Sequence, residues 1–311
     1  MEHTSKKPLL ICIVGPTAIG KTAMSIKIAN AFSSEIISAD SRQFYKEMSI
    51  GTAVPSSEEL AAAAHHFIQN RSIFEDYSVG DFERDALEKL DELFQKNKVV
   101  IMVGGSGLYV DAATKGLDKF PEISSEIREK INKEFEEKGI EFLQNQLKEV
   151  DPDYFQKVDI QNQHRIIRAL EVYNTTGLPY SSYLNKEKPE RKFETLFIGL
   201  SAERAIIYDR INQRVDIMMD EGLFEEAKYL YPNKDLNALQ TVGYRELFRF
   251  FDGEISKEFA IEEIKKNTRR FAKRQGTWFR KNTAIEWFDY NEDTSKVISY
   301  IKKKRPYLNV S

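Results

Sequence analysis

The stretch GPTAIGKT, residues 15–22, decides how the rest of the chain is interpreted. Glycine, four residues, glycine, lysine and threonine is the spacing of a phosphate-binding loop. The stretch follows the apolar run PLLICIV and precedes a helical pattern, which is the strand–loop–helix context that such a loop requires. We therefore predict an anion site in which backbone N–H groups and a helix N-terminus face a phosphate. In that site Lys21 reaches terminal phosphate oxygens, and the Thr22 hydroxyl is placed to contact a magnesium ion.

The acid that usually accompanies such a loop is not where a nucleotide hydrolase has it. Those enzymes place an aspartate at the end of a second buried strand, where it holds the metal. The best such strand here, VVIMV, ends in GGSG at residues 104–107 without an acid. The nearest candidate is Asp40, at the end of SEIISAD. An acid there can orient a metal or act as a base, and spacing alone does not choose between these roles.

Composition sets the outer limits. The chain has 311 residues, a length that allows about two domains. A net charge of −3 neither indicates nor excludes a nucleic-acid partner. Cys12 is the only cysteine, which excludes an internal disulfide and a thiolate zinc cluster, and its place in an apolar run predicts a packed thiol. The first apolar run is too short to span a membrane, so we expect a cytoplasmic protein with no membrane partner. We also expect a monomer.

Apolar runs alternate with helical periodicity over most of the chain, which favours an α/β fold with a parallel sheet. The runs are almost continuously apolar, as expected of strands buried on both faces. The predicted strands are Leu9–Val14, Glu35–Ala39, Val99–Val103, Phe193–Leu200 and Ala284–Phe288. The predicted helices are Thr22–Phe32, Asp81–Gln95, Ser124–Lys138, Asn162–Thr175, Glu203–Asp220 and Lys257–Lys281.

One stretch interrupts this alternation. Between about residues 120 and 191 only amphipathic helices are indicated, with Ile127, Ile131 and Phe135 four residues apart on one face. The stretch ends in KEKPERK, a charged, proline-containing segment typical of a linker. We predict an α/β core formed by residues 1–119 and 192–311, with an all-helical insertion domain at 120–191.

Two arginines on one predicted helix lack local partners. Arg210 and Arg214 are four residues apart, a spacing at which like charges repel by about a few tenths of a kcal/mol. No acid lies three or four positions from either of them. They therefore either pair with acids elsewhere in the fold or converge on a bound anion.

A second cationic feature lies near the C-terminus. The segment KKNTRRFAKRQGTWFRK, residues 265–281, carries eight basic residues and no acidic one. Solubility does not require so many uncompensated charges on one helix, so we predict that it binds a polyanion such as a nucleic-acid backbone. Its aromatic residues Phe271, Trp278 and Phe279 are predicted to pack in the core.

Several stretches together resemble the bacterial tRNA dimethylallyltransferases. These enzymes transfer a prenyl group from dimethylallyl diphosphate to the amino nitrogen of the adenosine that follows the anticodon. The resemblance spans nearly the whole chain, in the right order. It is carried by GPTAIGKT, SADSRQFYKEMSIGTAVP (38–55), AHHFI (64–68), YSVGDFERDA (77–86), GGSGLYV (104–110), QHRIIRALEVY (163–173), VDIMMDEGL (215–223), TVGYRE (241–246) and TRRFAKRQGTWFR (268–280).

The resemblance implies a kinase-like P-loop core and a helical insertion that contacts the anticodon stem-loop of tRNA. It also implies that the loop binds the diphosphate of dimethylallyl diphosphate rather than ATP, with Mg²⁺ on Thr22. The catalytic residues would be Asp40 as the base, with Thr17 and Arg214 stabilising the leaving diphosphate. The implied diphosphate-binding residues are Gly15, Pro16, Thr17, Ala18, Ile19, Gly20, Lys21, Thr22 and Arg210.

The residues implied to contact tRNA come from four parts of the chain. They are Asp40, Ser41, Arg42, Gln43, Ser106, Gln161, Asn162, Gln163, His164, Arg165, Lys273 and Arg274. Two rival functions use the same loop differently. A small-molecule or nucleotide kinase would bind ATP there and use Asp40 to activate a hydroxyl, and a non-catalytic RNA-binding regulator would sense a nucleotide.

Overall fold

The computed structural model describes residues 7–309, and six strands form the centre of the fold. Residues 1–6 and 310–311 lie outside this range. The strands are β1 Leu9–Val14, β2 Ile36–Ser38, β3 His65–His66, β4 Val99–Gly104, β5 Glu194–Ser201 and β6 Ile285–Asp289. They form one sheet in the order β3-β2-β4-β1-β5-β6, and every neighbouring pair is parallel. The predicted α/β fold with a parallel sheet is confirmed.

The helices, in chain order, fill the connections between the strands. They are α1 Lys21–Ala31, α2 Ser57–Ala62, α3 Val79–Leu93, α4 Gly107–Lys115, α5 Ser125–Val150, α6 Pro152–Phe155, α7 Gln163–Thr176, α8 Arg204–Asp220, α9 Leu223–Leu230, α10 Tyr244–Phe251, α11 Lys257–Phe279 and α12 Thr294–Lys304. The predicted strands all occur, but the two-residue strand β3 and six of the helices, α2, α4, α6, α9, α10 and α12, were not predicted. Short elements have too few residues to show a period.

The central strand β1 is buried along its whole length, and its side chains alternate between two cores. Leu9, Ile11 and Ile13 belong to the core that includes residues of α1 and α12. Leu10, Cys12 and Val14 belong to the core that includes residues of α3. Cys12 is fully buried, so the prediction of a packed thiol is confirmed. Because the strands are parallel, the ends of β1, β2 and β4 meet at the same edge of the sheet.

The chain divides into two compact units, one formed by the residues before 116 and after 190, the other by residues 116–190. Residues 116–190, all of which are described, contain helices and no strand. Within α5 the backbone departs from helical geometry at Gly139, where φ is 76°, so the predicted helix over residues 124–138 is followed by a second helical segment.

A buried carboxylate joins two helices of this unit. Glu171 of α7 accepts hydrogen bonds from Arg128 of α5 and from Arg168 at 3.0 and 3.2 Å.

The end of β4 has no room for a side chain. A Cβ atom at Gly104 would lie 2.4 Å from the backbone carbonyl oxygen of Ala39 at the end of the neighbouring strand. We predict that Gly104→Ala lowers the free energy of unfolding by about 1–3 kcal/mol, the usual cost of overpacking. Equilibrium urea denaturation measures this change.

The matched control is Gly80→Ala in α3, where the nearest heavy atom to the new Cβ is Ser78 Oγ at 3.6 Å. Because alanine restricts the unfolded chain more than glycine does, this control should be neutral or more stable by about 0.4–1 kcal/mol. Equal stability of the two variants would show that β2 and β4 separate easily at this point.

Candidate anion and transfer site

The predicted phosphate-binding loop joins β1 to α1 with a strained backbone. At Gly15 φ is 147°, and a Cβ atom there would lie 2.5 Å from the carbonyl oxygen of Leu200. Ala18 adopts φ 61°, which is uncommon for a residue with a side chain, and Gly20 adopts φ 103° immediately before α1. Lys21 begins α1, and its Nζ donates to the carbonyl of Pro16 at 2.7 Å. The loop therefore wraps around the N-terminus of α1, as an anion site requires.

Asp40 follows β2 and faces the same cavity as the loop. Besides residues of the loop and of the segment around Asp40, the cavity is lined by residues of 52–55, 65–68 and 103–104 and by Arg214 of α8. The lining residues are Thr17, Lys21, Thr22, Ser38, Asp40, Gln43, Thr52, Ala53, Pro55, His65, Ile68, Val103, Gly104 and Arg214. We call this the central cavity. The structure thus brings the predicted base and the predicted diphosphate site to one place.

Burial is the main influence on the acid–base properties of the central cavity. It raises the pKa of Asp40, against the opposing effects of the hydrogen bond from the Arg42 amide and of the positive charges of Lys21, Arg42 and Arg214. It lowers the pKa of Lys21 to about 8, with Asp40 opposing and Arg214 adding to the effect. Burial therefore favours the neutral form of both groups.

The two predicted arginines lie beside the loop. Arg210 donates from Nε to the carbonyl of Ala18 at 2.7 Å, and its guanidinium lies 5.2 Å from the ring centroid of Tyr290. Arg214 lines the central cavity, and burial lowers its pKa while Asp40 opposes that shift. Among residues 7–309, neither arginine lies within 4.0 Å of a carboxylate. Tertiary ion pairs do not account for the pair, so a bound anion is the better explanation.

A second, outer cavity adjoins the first. Lys21, Thr22 and Arg214 line both cavities, so the phosphate loop and α8 form the boundary between them. The outer cavity also contains Arg210 and apolar side chains of α8, among them Ile217, which is 54% exposed. An anion held at this boundary would have one end open to the central cavity.

The segment after Asp40 is tied to its surroundings by hydrogen bonds. Gln43 Nε2 donates to the carbonyls of Ala53 and Thr52 at 2.8 and 3.3 Å. The Ser41 amide donates to Ser106 Oγ at 3.1 Å. Arg42, predicted to contact tRNA, donates from Nη1 to the carbonyls of Asn237 and Ala238, each at 2.9 Å. Asp40, Ser41, Gln43 and Ser106 are therefore together, whereas the Arg42 guanidinium is directed to another loop.

One carboxylate that the sequence did not indicate fixes a wall of both cavities. Glu226 in α9 accepts from the backbone amides of Ser49, Ile50 and Gly51, each at 2.9 Å. It also accepts from the hydroxyl of Tyr244 at 2.7 Å. These contacts immobilise the turn before Thr52 and Ala53, whose carbonyls hold Gln43. Since the partners are about 175 residues apart in sequence, no local signal could reveal them.

His65 is a further residue of the central cavity. Its Nδ1 lies 2.7 Å from the carbonyl of Ala63, so Nδ1 carries the proton. Burial lowers the pKa of His65, which favours the neutral ring. Its Nε2 is buried and has no hydrogen-bond partner among the described residues. The neighbouring His66 instead pairs with Glu35 at 2.7 Å, outside the cavity.

The basic segment 265–281 has fewer unpaired positive charges than its sequence indicates, and the prediction is corrected on this point. Lys265 lies 2.7 Å from Asp216 of α8, and Lys266 lies 2.7 Å from Glu263 one turn earlier. Within residues 7–309, Lys273 and Arg274 have no carboxylate within 4.0 Å. A surface groove is lined by Arg270, Lys273, Arg274, Thr277, Trp278 and Lys281, and we call it the basic groove.

The predicted burial of the aromatic residues in this segment is wrong for two of the three. Phe279 is buried, but Phe271 and Trp278 are each 38% exposed. Trp278 donates from Nε1 to Asp111 Oδ2 at 2.9 Å and borders the basic groove. The groove therefore combines cations with one exposed aromatic edge, a combination typical of nucleic-acid surfaces.

The remaining predicted tRNA contacts lie in the helical unit 116–190. Asn162 accepts from the Arg165 amide at 3.3 Å and so caps the N-terminus of α7. The Gln161 amide donates to Asp159 at 3.1 Å. The side chains of Gln161, His164 and Arg165 are exposed, and those of Asn162 and Gln163 are half-buried. The first turn of α7 is thus a polar, accessible surface.

Metal ligands are sparse. Over residues 7–309, no group of three or more His, Cys, Asp or Glu side chains could hold a metal ion. The oxygen donors of the central cavity include the Thr22 hydroxyl and the Asp40 carboxylate, beside the side-chain oxygens of Thr17, Ser38, Gln43 and Thr52. Such a set fits Mg²⁺, which keeps several waters and takes substrate phosphate oxygens as ligands.

Over residues 7–309, every helix is too short or too polar to cross a membrane.

Comparison with known proteins gives consistent matches along the chain. A family model described as IPP transferase matches residues 43–282. The tRNA dimethylallyltransferase of Flavobacterium psychrophilum is 62% identical over 301 residues, which is 95% of this chain and 98% of that protein. The protein of the same name from Christiangramia forsetii is 61% identical over 295 residues, with coverages of 95% and 98%.

Solved structures extend the match to the fold. The tRNA isopentenylpyrophosphate transferase of Bacillus halodurans is 37% identical, has a TM-score of 0.71 and is matched over 97% of both chains. A eukaryotic dimethylallyltransferase acting on tRNA is 27% identical, with a TM-score of 0.79 over 96% of this chain and 77% of the other.

The lowered pKa of Lys21 predicts how anion binding depends on pH. The ammonium is charged below about pH 7 and loses its proton as the pH rises through about 8. A bound anion stabilises the charged form, so affinity for inorganic pyrophosphate should fall above about pH 8, by up to about tenfold per pH unit.

Isothermal titration calorimetry of the wild type and of Lys21→Arg measures the effect, because arginine stays charged throughout this range. The ratio of the two affinities removes the ionisation of pyrophosphate itself. A ratio that does not change with pH would mean that Lys21 does not titrate near neutrality.

Proposed function

The chain belongs to the IPP transferase family, and we propose that it transfers the dimethylallyl group of dimethylallyl diphosphate to N6 of the adenosine 3′ of the anticodon in tRNA. The observation that carries this proposal is the central cavity, where Asp40 faces Lys21, Thr22 and Arg214. A carboxylate opposite an anion site is the arrangement that alkylation of an amine by an allylic diphosphate requires.

At the donor end, the loop Gly15–Thr22 binds the diphosphate. As the bond between carbon and oxygen breaks, negative charge grows on the diphosphate oxygens, and groups fixed in advance stabilise that charge most effectively. Lys21, Arg210 and Arg214 supply positive charge, and the Thr17 hydroxyl faces the central cavity. Thr22 would hold the magnesium ion, which supplies further neutralisation of the diphosphate when bound.

At the acceptor end, the adenine N6 is a weak nucleophile because its lone pair is delocalised into the ring, so its attack requires removal of a proton by a base. N6 attacks the allylic carbon, the new C–N bond forms, and diphosphate leaves with the electron pair of the C–O bond. The proton lost from N6 passes to Asp40. The raised pKa of Asp40 suits this role, since a carboxylate with a higher pKa is a stronger base.

An adenine stacked in the anticodon loop does not reach this cavity, so the base must be extruded. Unstacking costs about a few kcal/mol and is easiest in a single-stranded loop. We assign contacts with the extruded nucleotide to Asp40, Ser41, Gln43 and Ser106. Contacts with the rest of the anticodon stem-loop are assigned to the basic groove and to the residues 161–165, whose side chains are exposed or half-buried.

We propose that the protein acts as a monomer. The tRNA substrate places the reaction in the cytoplasm. In the proposed reaction the phosphate loop binds a prenyl diphosphate rather than ATP.

Incubation of the protein with tRNA, Mg²⁺ and dimethylallyl diphosphate should give N6-isopentenyladenosine, detected by mass spectrometry of the digested nucleosides. Asp40→Asn keeps the shape of the side chain but removes the base, and it should lower the single-turnover rate about 10²–10⁴-fold while binding tRNA normally. Unmodified adenosine with the wild type would overturn the function. Equal rates for the two proteins would overturn only the role of Asp40.

The basic groove makes a separate prediction about RNA affinity. Replacing Lys273 and Arg274 with glutamine should weaken tRNA binding and reduce the slope of log affinity against log salt by about 1–2, because two phosphate contacts are lost. The matched control replaces Lys265 and Lys266, whose charges are already paired with Asp216 and Glu263. Filter binding over a range of salt should show little change for this control, and a groove variant with an unaltered slope would place the RNA elsewhere.

A further inference from the structure

One buried amide joins the two loops that form the reaction site. Gln275 lies on α11 and is only 5% exposed. Its Oε1 accepts from the Thr17 backbone amide at 2.9 Å, and its Nε2 donates to the Gly105 carbonyl at 3.0 Å. Thr17 belongs to the phosphate-binding loop, and Gly105 belongs to the GGSG turn after β4. A single side chain on a third element therefore fixes the spacing of these two turns.

The contact between α11 and the GGSG turn leaves no spare volume. A Cβ atom at Gly105 would lie 2.2 Å from Gln275 Nε2, and one at Gly107 would lie 2.3 Å from Trp278 Cδ1. The turn also carries Ser106, whose hydroxyl accepts from the Ser41 amide beside Asp40. Displacing Gln275 would therefore shift both the donor loop and the segment that carries the base.

The chemistry of the position requires a side chain with both a donor and an acceptor. Two buried backbone groups, one N–H and one C=O, would otherwise lack partners, and leaving such groups unpaired is costly. Glutamine satisfies both at once. The contact also means that the Thr17 amide is already in use, so Thr17 can reach the diphosphate through its hydroxyl only.

The same turn of α11 serves the RNA. Lys273, Arg274, Thr277 and Trp278 are neighbours of Gln275 in sequence and line the basic groove. The helix that presents cations on its accessible side thus holds both reactive loops with one residue on its buried side.

We propose that Gln275 is a positioning residue that aligns the diphosphate loop with the acceptor segment. It acts through Thr17 and Gly105 and contacts no substrate. This inference rests on the proposed function, because it concerns the geometry of the same transfer reaction.

Two variants separate the contacts. Gln275→Met keeps the volume but removes both hydrogen bonds, and it should lower the single-turnover rate at saturating substrates about 10- to 100-fold, the usual effect of a small misplacement of reacting groups. Its Kd for tRNA should stay within about twofold of the wild type, because the side chain faces away from the groove.

Gln275→Glu retains the acceptor for the Thr17 amide but, when ionised, cannot donate to Gly105. A protonated glutamic acid matches glutamine, so the rate of this variant relative to the wild type should rise as the pH falls. A residue that only supports folding would lower the unfolding midpoint without producing such a recovery. If Gln275→Met does not fold, the pH dependence of Gln275→Glu still decides the question.

The wild type is measured beside both variants, with N6-isopentenyladenosine as the product. No product from the wild type would remove the proposed function itself. An active wild type with equally active Gln275→Met, or with a Gln275→Glu ratio that does not change with pH, would overturn the role of Gln275 alone.

Discussion

The site depends on three cations that the fold holds together without acidic partners. Lys21, Arg210 and Arg214 surround one end of the phosphate loop, and among residues 7–309 none of them has a carboxylate within 4.0 Å. Burial of Ile211 and Val215 anchors α8 and keeps its two arginines facing the loop. Burial lowers the pKa of Lys21 and of Arg214, the neighbouring positive charges add to this effect, and Asp40 opposes it. A bound anion would favour the charged forms of both side chains.

Close backbone contacts let the other parts of the site reach this anion. Gly15 packs against the carbonyl of Leu200, and Gly104 packs against that of Ala39, each with space for no side chain. Glu226 and Gln275 then hold the surrounding turns through backbone amides and carbonyls. The reactive groups are thus positioned by contacts between elements far apart in sequence. Such contacts give the precision that transfer chemistry requires, because the supporting residues are themselves buried and hydrogen-bonded.

The sequence predicted the parts of this structure that are encoded locally. Five strands, the long helices and the phosphate loop followed from periodicity and motif spacing, and the position of Asp40 at the end of β2 followed from the same patterns. The sequence did not predict β3, which has only two residues, or the role of Glu226, whose partners lie far away along the chain. It also overestimated the free charge of residues 265–281, because the acid that pairs with Lys265 comes from another helix. Charge counted along one segment cannot detect neutralisation by tertiary contacts.

The geometry at the end of β4 leaves no place for the metal-binding acid that phosphoryl-transfer enzymes use. An enzyme that transfers phosphate uses a strand-end acid to hold the metal against the phosphorus under attack. Here that position is Gly104, and the carbonyl of Ala39 occupies the space where an acidic side chain would begin. The acid lies instead at the end of β2, as Asp40, on the central cavity. In the proposed reaction this carboxylate takes a proton from the nucleophile, while the loop holds and releases the diphosphate. The steric contact between the two strand ends therefore excludes an acidic side chain from the end of β4, and among residues 7–309 the one acid that lines the central cavity is Asp40 at the end of β2.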